Sequence, residues 1–358
     1  MMQLKENRNS KRPRHVIRLF FHKIAFDSLV ANEFTQWYNV LESLRRGEPA
    51  VITTICLNPC FDKTVNVERL QVGQVNRIRD ARVDLGGKGI NVAVVASRLG
   101  LNVQCLGIMG ENGAADLTSM MDREGLKHQF ITVPGHVRTN MKVYSMDGQG
   151  VTELNEPGTQ LTADCLNQFT EMAVKSTADS DIIVMTGSLP PGCPEGTYRN
   201  LMTALDGKKC ILDTEGKELE LAARSAHPFL IKPNLRELEA TLGIELRTMR
   251  AIRDAALLFI RLGVKHSVVS MGAMGAMYIS ADKTLFAPAL RVATKSTVGA
   301  GDAMIGGMLL GYEIEKDMAK AFRYGIAAGA ASVMTEGTQL IVRSDFEALL
   351  DQVRIQEV

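Results

Sequence analysis

The sequence predicts an α/β protein: a doubly wound, mostly parallel sheet with helices on both faces, and a small second β-sheet beside it. Three observations predict it. Val51–Leu57 is a continuous β-rich run ending at Asn58-Pro59, the pattern of a strand buried on both faces. From there strand-like and helix-like stretches alternate to the C-terminus, as in parallel strands joined by crossover helices. Two blocks depart from this: Thr64–Val67 with Val75–Val83, and Arg138–Met146 with Val151–Leu154. Their polar–apolar alternation has period two, which predicts strands with one wet face outside the main core.

The chain has 358 residues, enough for one large or two ordinary domains. A hydrophobic content of 46% and a charged content of 23% are those of a soluble globular protein. The net charge of +1 gives no electrostatic footprint for nucleic acid or an anionic membrane. Apolar runs such as Ala303–Leu310 fall short of the ~20 residues of a membrane helix. The six cysteines are scattered, and no histidine lies near Cys56 and Cys60. They read as small packed hydrophobes in a reducing cytoplasm rather than as a zinc site.

Residues 1–49 differ from the rest. They carry nine Lys/Arg against five Asp/Glu, one glycine and the only tryptophan, Trp37. Ala31–Arg46 has the spacing of an amphipathic helix. The segment reads as a basic extension outside the domain that starts near Ala50. Within 50–358 the elements fall in order. Val103–Met109 reads as strand and Gly113–Glu124 as helix. Leu161–Lys175 is helical, with Leu161, Cys165, Phe169 and Met172 at helix spacing. Asp181–Thr186 is a buried strand entering the tight loop Gly187–Gly192. Lys209–Leu212 and Phe229–Ile231 are short strands. Leu235–Leu242 and Arg250–Leu262 are helices, and His266–Ser270 is a strand. Gly275–Ile279 and Thr284–Ala287 form a hairpin. Ala303–Tyr312 and Ala319–Met334 are helices, the second rich in small residues that permit close approach.

Two glycine-rich helix starts carry the chemistry. Thr297-Val298-Gly299-Ala300-Gly301-Asp302 opens the run Ala303–Leu310. Glycines there let the backbone turn with several N–H groups pointing one way, and the helix dipole adds attraction for a phosphate. Asp302 puts a carboxylate in the same turn. The plain alternative is a capped helix start, where Asp is common. Leu85–Gly100 holds the second start, Gly86-Gly87-Lys88-Gly89-Ile90-Asn91. Its spacing matches neither a P-loop nor a dinucleotide fingerprint, and close helix–sheet packing is its plain alternative. Each of these loops follows a strand, so in a doubly wound sheet they converge beyond the strands' carboxyl ends.

These two starts resemble the paired signatures of the PfkB (ribokinase-like) carbohydrate kinase family. Gly187-Ser188-Leu189-Pro190 and Lys232-Pro233-Asn234-Leu235-Arg236-Glu237 resemble further family landmarks in the right order. Leu57–Asp62 resembles the start of the phosphofructokinase and tagatose-6-phosphate kinase branch. The likeness covers about Ala50 to the C-terminus. It implies a ribokinase-like fold whose half-wet strands, about 60–84 and 137–155, form a lid that serves as a homodimer clasp.

The resemblance also implies roles. Asp302 accepts a proton from a sugar hydroxyl, starting as an ordinary ionised carboxylate, and the N–H groups around Gly299, Ala300 and Gly301 hold charge on the transferred phosphoryl group. Asp62, Gly87, Asn91 and Ser188 lie on the sugar, with Lys88 and Arg138 as cations for its phosphate. Lys232, Asn234, Ser270, Gly272 and Gly275 lie on ATP, and Glu237 helps place Mg²⁺ through water. The implied reaction is ATP- and magnesium-dependent phosphorylation of a phosphorylated ketohexose. Fructose 1-phosphate is preferred because Arg138–Val143 resembles the R-x-N-x-K pattern of 1-phosphofructokinases. Tagatose-6-phosphate kinase and a PfkB-type 6-phosphofructokinase are the alternatives within the class. A non-catalytic phosphosugar-binding protein is the alternative outside it.

Overall fold

A computed structural model describes residues 51–148 and 150–358. The extension 1–49 and the helix expected over Ala31–Arg46 lie outside the described residues. In chain order the first elements are β1 (Val51–Cys56), β2 (Cys60–Val67), β3 (Ile78–Gly86), α1 (Lys88–Arg98), β4 (Val103–Asn112), α2 (Ala114–Arg123), β5 (Lys127–His136), β6 (Arg138–Ser145) and β7 (Gly150–Asn155). There follow α3 (Ala163–Ser176), β8 (Ser180–Thr186), α4 (Thr197–Ala204), β9 (Lys209–Asp213), α5 (Gly216–Ser225), β10 (Leu230–Ile231), α6 (Leu235–Leu242) and α7 (Met249–Arg261). The last are β11 (His266–Ser270), β12 (Ala276–Ile279), β13 (Thr284–Ala287), α8 (Ala300–Glu315), α9 (Met318–Ser332), α10 (Arg343–Leu350) and β14 (Gln356–Glu357).

Ten strands form one sheet in the order β14-β13-β12-β11-β10-β9-β8-β1-β4-β5. Pairing is parallel from β5 to β11, and β12, β13 and β14 add antiparallel strands at one edge. The order reverses at β1, which lies between β4 and β8. That reversal is the switch point where open α/β sheets bind ligands, beyond the carboxyl ends of the strands. The expected doubly wound sheet is therefore present, and so is the small sheet, with strand order β3-β2-β6-β7. Its two segments match the expected 60–84 and 137–155.

Burial follows composition. Ile52, Ile55 and Cys56 of β1 are buried, and so are Thr53 and Thr54 between them, as a central strand covered on both faces requires. One apolar core gathers residues from β1, β4, β8, β9 and β11 with Phe169, Tyr198, Leu219 and Phe259 from four helices. Each such large side chain contributes about 1.5–3 kcal/mol on burial. Helix α8 is apolar nearly all round because neighbours cover both flanks. A Cβ at Gly306 would meet Val95 of α1 at 2.4 Å, and one at Gly307 would meet the Tyr324 carbonyl of α9 at 2.5 Å. Small residues thus let α1, α8 and α9 pack tightly, which fixes the start of α8 where Asp302 lies.

Some elements escaped the sequence pattern. Strand β5 was not expected; it is an edge strand with alternating partial burial and contains Pro134, which an edge tolerates. Helices α4, α5 and α10 are only eight, ten and eight residues long. Gly196 and Gly216 at the first two starts resemble turn punctuation. Within the lid segments the strand limits differ from the alternation read in the sequence: β2 starts at Cys60 rather than Thr64, and β3 runs Ile78–Gly86 rather than Val75–Val83.

Candidate active site

One cleft of about 1190 Å³ opens at the switch point between the large sheet and the lid. Every residue singled out from the sequence lines it: Asp62, Gly87, Lys88, Asn91, Arg138, Ser188, Lys232, Asn234, Glu237, Ser270, Gly272, Gly275, Gly299, Ala300, Gly301 and Asp302. The size suits a nucleotide and a small second substrate together.

The floor is the start of α8. Gly299 is its N-cap and the chain enters the helix at Ala300. The Ala300 N–H donates to the Thr297 carbonyl at 3.4 Å, and the first helical bond runs from the Ala303 N–H to the Gly299 carbonyl at 2.8 Å. The N–H groups of Gly301 and Asp302 precede it and face no helical acceptor, so they are donors for an anion. Lys232 stands over this turn: a Cβ on Gly301 would lie 2.9 Å from its Nζ. Asp302 is buried, and its Oδ2 accepts from Asn91 Nδ2 at 2.8 Å. Burial is the main reason its carboxyl is pushed up to about 6; Lys88, Asn91 and Lys232 pull it down and Asp213 pushes it further up. This corrects the expectation of an ordinary Asp. At neutral pH it is ionised but basic, the state a proton acceptor needs.

The second helix start brings Gly87 to the sheet at φ 103°, where a Cβ would meet Cys56 Sγ at 2.8 Å and Pro59 Cα at 3.0 Å. Only glycine suits that backbone. From here Lys88 reaches Asp213 Oδ2 at 3.5 Å and Glu237 Oε1 at 3.7 Å. Asp213 chiefly, with Asp302 and Glu237, holds its ammonium above the usual lysine range against the opposing effect of burial. Lys88 is thus engaged with Asp213 and Glu237, residues of the large-sheet side of the cleft. Lys232 approaches Asp213 Oδ1 at 3.1 Å, and Thr186 donates to Asp213 Oδ2 at 3.0 Å. Burial alone would raise the Asp213 carboxyl; the two lysines overcome it and hold the group below its usual range. Asp213, at the end of buried strand β9, was missed from the sequence. Its signal was an acid closing an apolar strand on the ligand side of the sheet.

Asn234 and Glu237 form a capping box on α6. Glu237 N–H donates to Asn234 Oδ1 at 2.9 Å, and Asn234 N–H donates to Glu237 Oε2 at 2.7 Å. The plain reading of that motif is therefore realised, and Glu237 Oε1 still faces Lys88. Ser270, Gly272 and Gly275 line the far end, together with Val298, Ile326, Gly329, Ala330 and Val333. The small residues of α9 divide in use: Gly329 and Ala330 border the cleft, while Ala327, Ala328 and Ala331 are fully buried.

The lid supplies the other wall. In a strand, alternate side chains share a face, so Arg138, Asn140 and Lys142 of β6 all line the cleft. Arg138 donates through Nε and Nη2 to the Asn58 carbonyl at 3.3 and 3.1 Å, and through Nη1 to the Glu156 carbonyl at 3.0 Å. Asn58 also donates to Ser188 Oγ at 3.3 Å, joining the loops after β1 and β8. Asp62 Oδ2 lies 3.0 Å from Lys142 Nζ. Lys142 and Asn140 were visible in the sequence only as parts of a pattern; the shared face makes them site residues.

A phosphate-binding helix start with an acid in its first turn, at the switch point of a doubly wound sheet under a β lid, defines a phosphotransferase-type site. The pfkB family carbohydrate kinase profile matches residues 56–344, and the chain belongs to that family. It is 34% identical over 311 residues to the 1-phosphofructokinase of Haemophilus influenzae, covering 86% of this chain and 98% of that one. It is 31% identical over 306 residues to the 1-phosphofructokinase of Escherichia coli K12, covering 85% of this chain and 98% of the relative. In structure it resembles phosphofructokinase-2 from Escherichia coli in complex with substrates and products, with TM-score 0.80, 28% identity, and coverage of 85% and 99%.

Proposed function

We propose that this sugar-phosphate kinase transfers the γ-phosphoryl group of ATP to fructose 1-phosphate, giving the 1,6-bisphosphate. The observation that carries the reading is the pairing of Asp302 with Asn91 beside the free N–H groups of α8, with Arg138 across the cleft on the lid. Among the described residues Arg138 bonds only to neutral acceptors, so its charge is available to a substrate phosphate. Asp62 and Asn91 hold ring hydroxyls, while Ser188, held by Asn58, and the Gly87 backbone border the ring. Asp302 takes the proton from the attacking hydroxyl, and the Gly301 and Asp302 N–H groups with Lys232 and Lys88 meet the charge on the transferred group.

ATP lies along Lys232, Asn234, Ser270, Gly272 and Gly275, with its base toward Ile326, Ala330 and Val333. Magnesium fits this site through water and phosphate oxygens. Among the described residues no three His, Cys, Asp or Glu side chains group as a cage, and Glu237 Oε1, 3.7 Å from Lys88, is one carboxylate oxygen on the cleft that could hold the ion through water. When bound, the ion neutralises phosphate charge.

All six cysteines are free and no described helix is long and apolar enough to cross a membrane, which supports a cytoplasmic setting. Exposed Ile78, Val83, Val151 and Leu154 on the lid support a homodimer through it. Light scattering on a lid-charged variant, Leu154→Glu, tests that assembly. A coupled ADP assay with fructose 1-phosphate, fructose 6-phosphate and tagatose 6-phosphate tests the reaction. Preference for either 6-phosphate by about tenfold or more, the scale at which one substrate is clearly selected, overturns the choice of sugar.

A further inference from the structure

The lid wall holds a charge pair of which the proposed chemistry uses only one member, Asp62, and leaves Lys142 without a role. Lys142 Nζ and Asp62 Oδ2 are 3.0 Å apart with side-chain exposures of 4% and 6%. The ammonium nitrogen has no partner of hydrogen-bond geometry, so the contact is one of charge. Glu153 of β7 is in register with Lys142 and lines the same cleft. The lid wall thus balances two carboxylates, Asp62 and Glu153, against two cations, Arg138 and Lys142.

A carboxylate suits sugar hydroxyls but repels a sugar that carries a phosphate dianion. In a partly dry cleft such like-charge juxtaposition is costly. Resting on the reading that the substrate is a sugar phosphate, we propose that Lys142 is the positioning residue that reconciles the two demands. It neutralises Asp62 and fixes its Oδ2, so that the site accepts an anionic sugar. An unphosphorylated ketohexose carries no charge to repel, so it loses less than the sugar phosphate when Lys142 is replaced.

The test is the ratio of kcat/KM for fructose 1-phosphate to that for fructose, with calorimetric Kd values for both sugars on the same proteins. Lys142→Met lowers the kcat/KM ratio, and the matching ratio of affinities (1/Kd), by about 10–100-fold, the scale of a misplaced charge at a binding site. Lys142→Arg restores them to within about threefold of wild type. Lys142→Met strands a buried carboxylate and can fail to fold. The Asp62→Asn/Lys142→Met pair, which removes both charges, is therefore measured beside it. Its ratio returns to within about threefold of wild type even though both sugars bind less well. A folded Lys142→Met protein with an unchanged ratio overturns the proposal. So does a double variant whose ratio stays about tenfold or more below wild type, which points to direct contact between Lys142 and the phosphate. Fructose 6-phosphate and tagatose 6-phosphate are run against fructose and tagatose in the same panel. Wild-type preference for a 6-phosphate overturns the proposed sugar, while the ratio for that preferred sugar still decides the role of Lys142.

Discussion

Asn91 donates its side-chain amide to Asp302 at 2.8 Å across 211 residues of sequence. The bond ties the first turn of α1 to the first turn of α8, so the two glycine-rich starts act as one unit. It occupies Oδ2 and leaves Oδ1 for the cleft. A carboxylate held this way keeps its orientation without spending binding energy on it.

Replacing Asp302 by Asn keeps the shape and an acceptor for Asn91 but removes the base. The expected outcome is a kcat lower by about 10²–10⁴ with little change in the Kd for the sugar phosphate. Stopped-flow or steady-state kinetics beside calorimetric binding checks it. A variant that keeps more than about a tenth of wild-type kcat removes Asp302 from the role of base.

The same carboxyl sets a pH dependence. Because the base must be ionised and burial pushes its pKa up to about 6, kcat/KM falls with single-proton slope as pH drops through that value. The stability linkage has the matching sign. The folded pKa lies above the ordinary 3.8, so the folded state holds this proton more tightly. That stabilisation is complete below the ordinary value and is lost as pH rises through about 6, a difference of roughly 3 kcal/mol. Asp302→Asn therefore gains stability relative to wild type at pH 7.5, and the gain shrinks toward pH 4. Chemical denaturation at both pH values reads this; equal differences at the two would contradict it.

Much of this arrangement was legible in the sequence, and the limits have physical causes. Asp302 stood out because it closes a glycine-rich turn at a helix start, whereas Asn91, Lys232 and Arg138 were singled out only through the resemblance to the family's motifs. Lys142 could not be ranked from sequence because its value lies in the Asp62 contact across two strands. Asp213 was hidden for the same reason: its partners Lys88 and Lys232 come from separate loops. The raised pKa of Asp302 depends on helices α1 and α9 covering α8, which no local pattern reports. Strand β5 was missed because an edge strand has weak alternation and tolerates Pro134.

Arg138 offers a separate handle on the substrate phosphate. Its guanidinium is held by the carbonyls of Asn58 and Glu156, which fix it without cancelling its charge. Arg138→Ala is expected to cost roughly 1.5–3 kcal/mol, the scale of a hydrogen bond to a charged group. That is about one to two decades in kcat/KM for fructose 1-phosphate, with fructose much less affected. Equal losses for both sugars would show that Arg138 shapes the loop rather than grips the phosphate.

The N-terminal segment 1–49 differs in composition from the domain that follows, and the family match begins after it, at residue 56. A protein starting at Ala50 is expected to be soluble and to keep wild-type kcat and KM. Trp37 is the only tryptophan, so the intact chain's tryptophan emission reports on this segment alone. Loss of activity on truncation, or a blue-shifted emission in the intact chain, would show that the segment packs on the kinase.

Asp213 gives the sharpest test of how charge is arranged in the cleft. It is buried, it contacts Lys232 and Lys88, and it helps to raise the pKa of Asp302. Asp213→Asn keeps the size and the bond from Thr186 but leaves Lys232, itself only 3% exposed, without its counter-charge. Breaking a buried pair from one side costs about 3–5 kcal/mol, so the denaturation midpoint should fall. The kinetic effect has its own sign. Removing a negative charge near Asp302, and freeing two cations beside it, both favour the ionised carboxylate. The acid limb of kcat/KM should therefore move below about 6, to lower pH, in Asp213→Asn. Loss of packing alone has no reason to move that limb downward. A limb that stays in place or moves to higher pH would mean that Asp213 is not electrostatically coupled to the base.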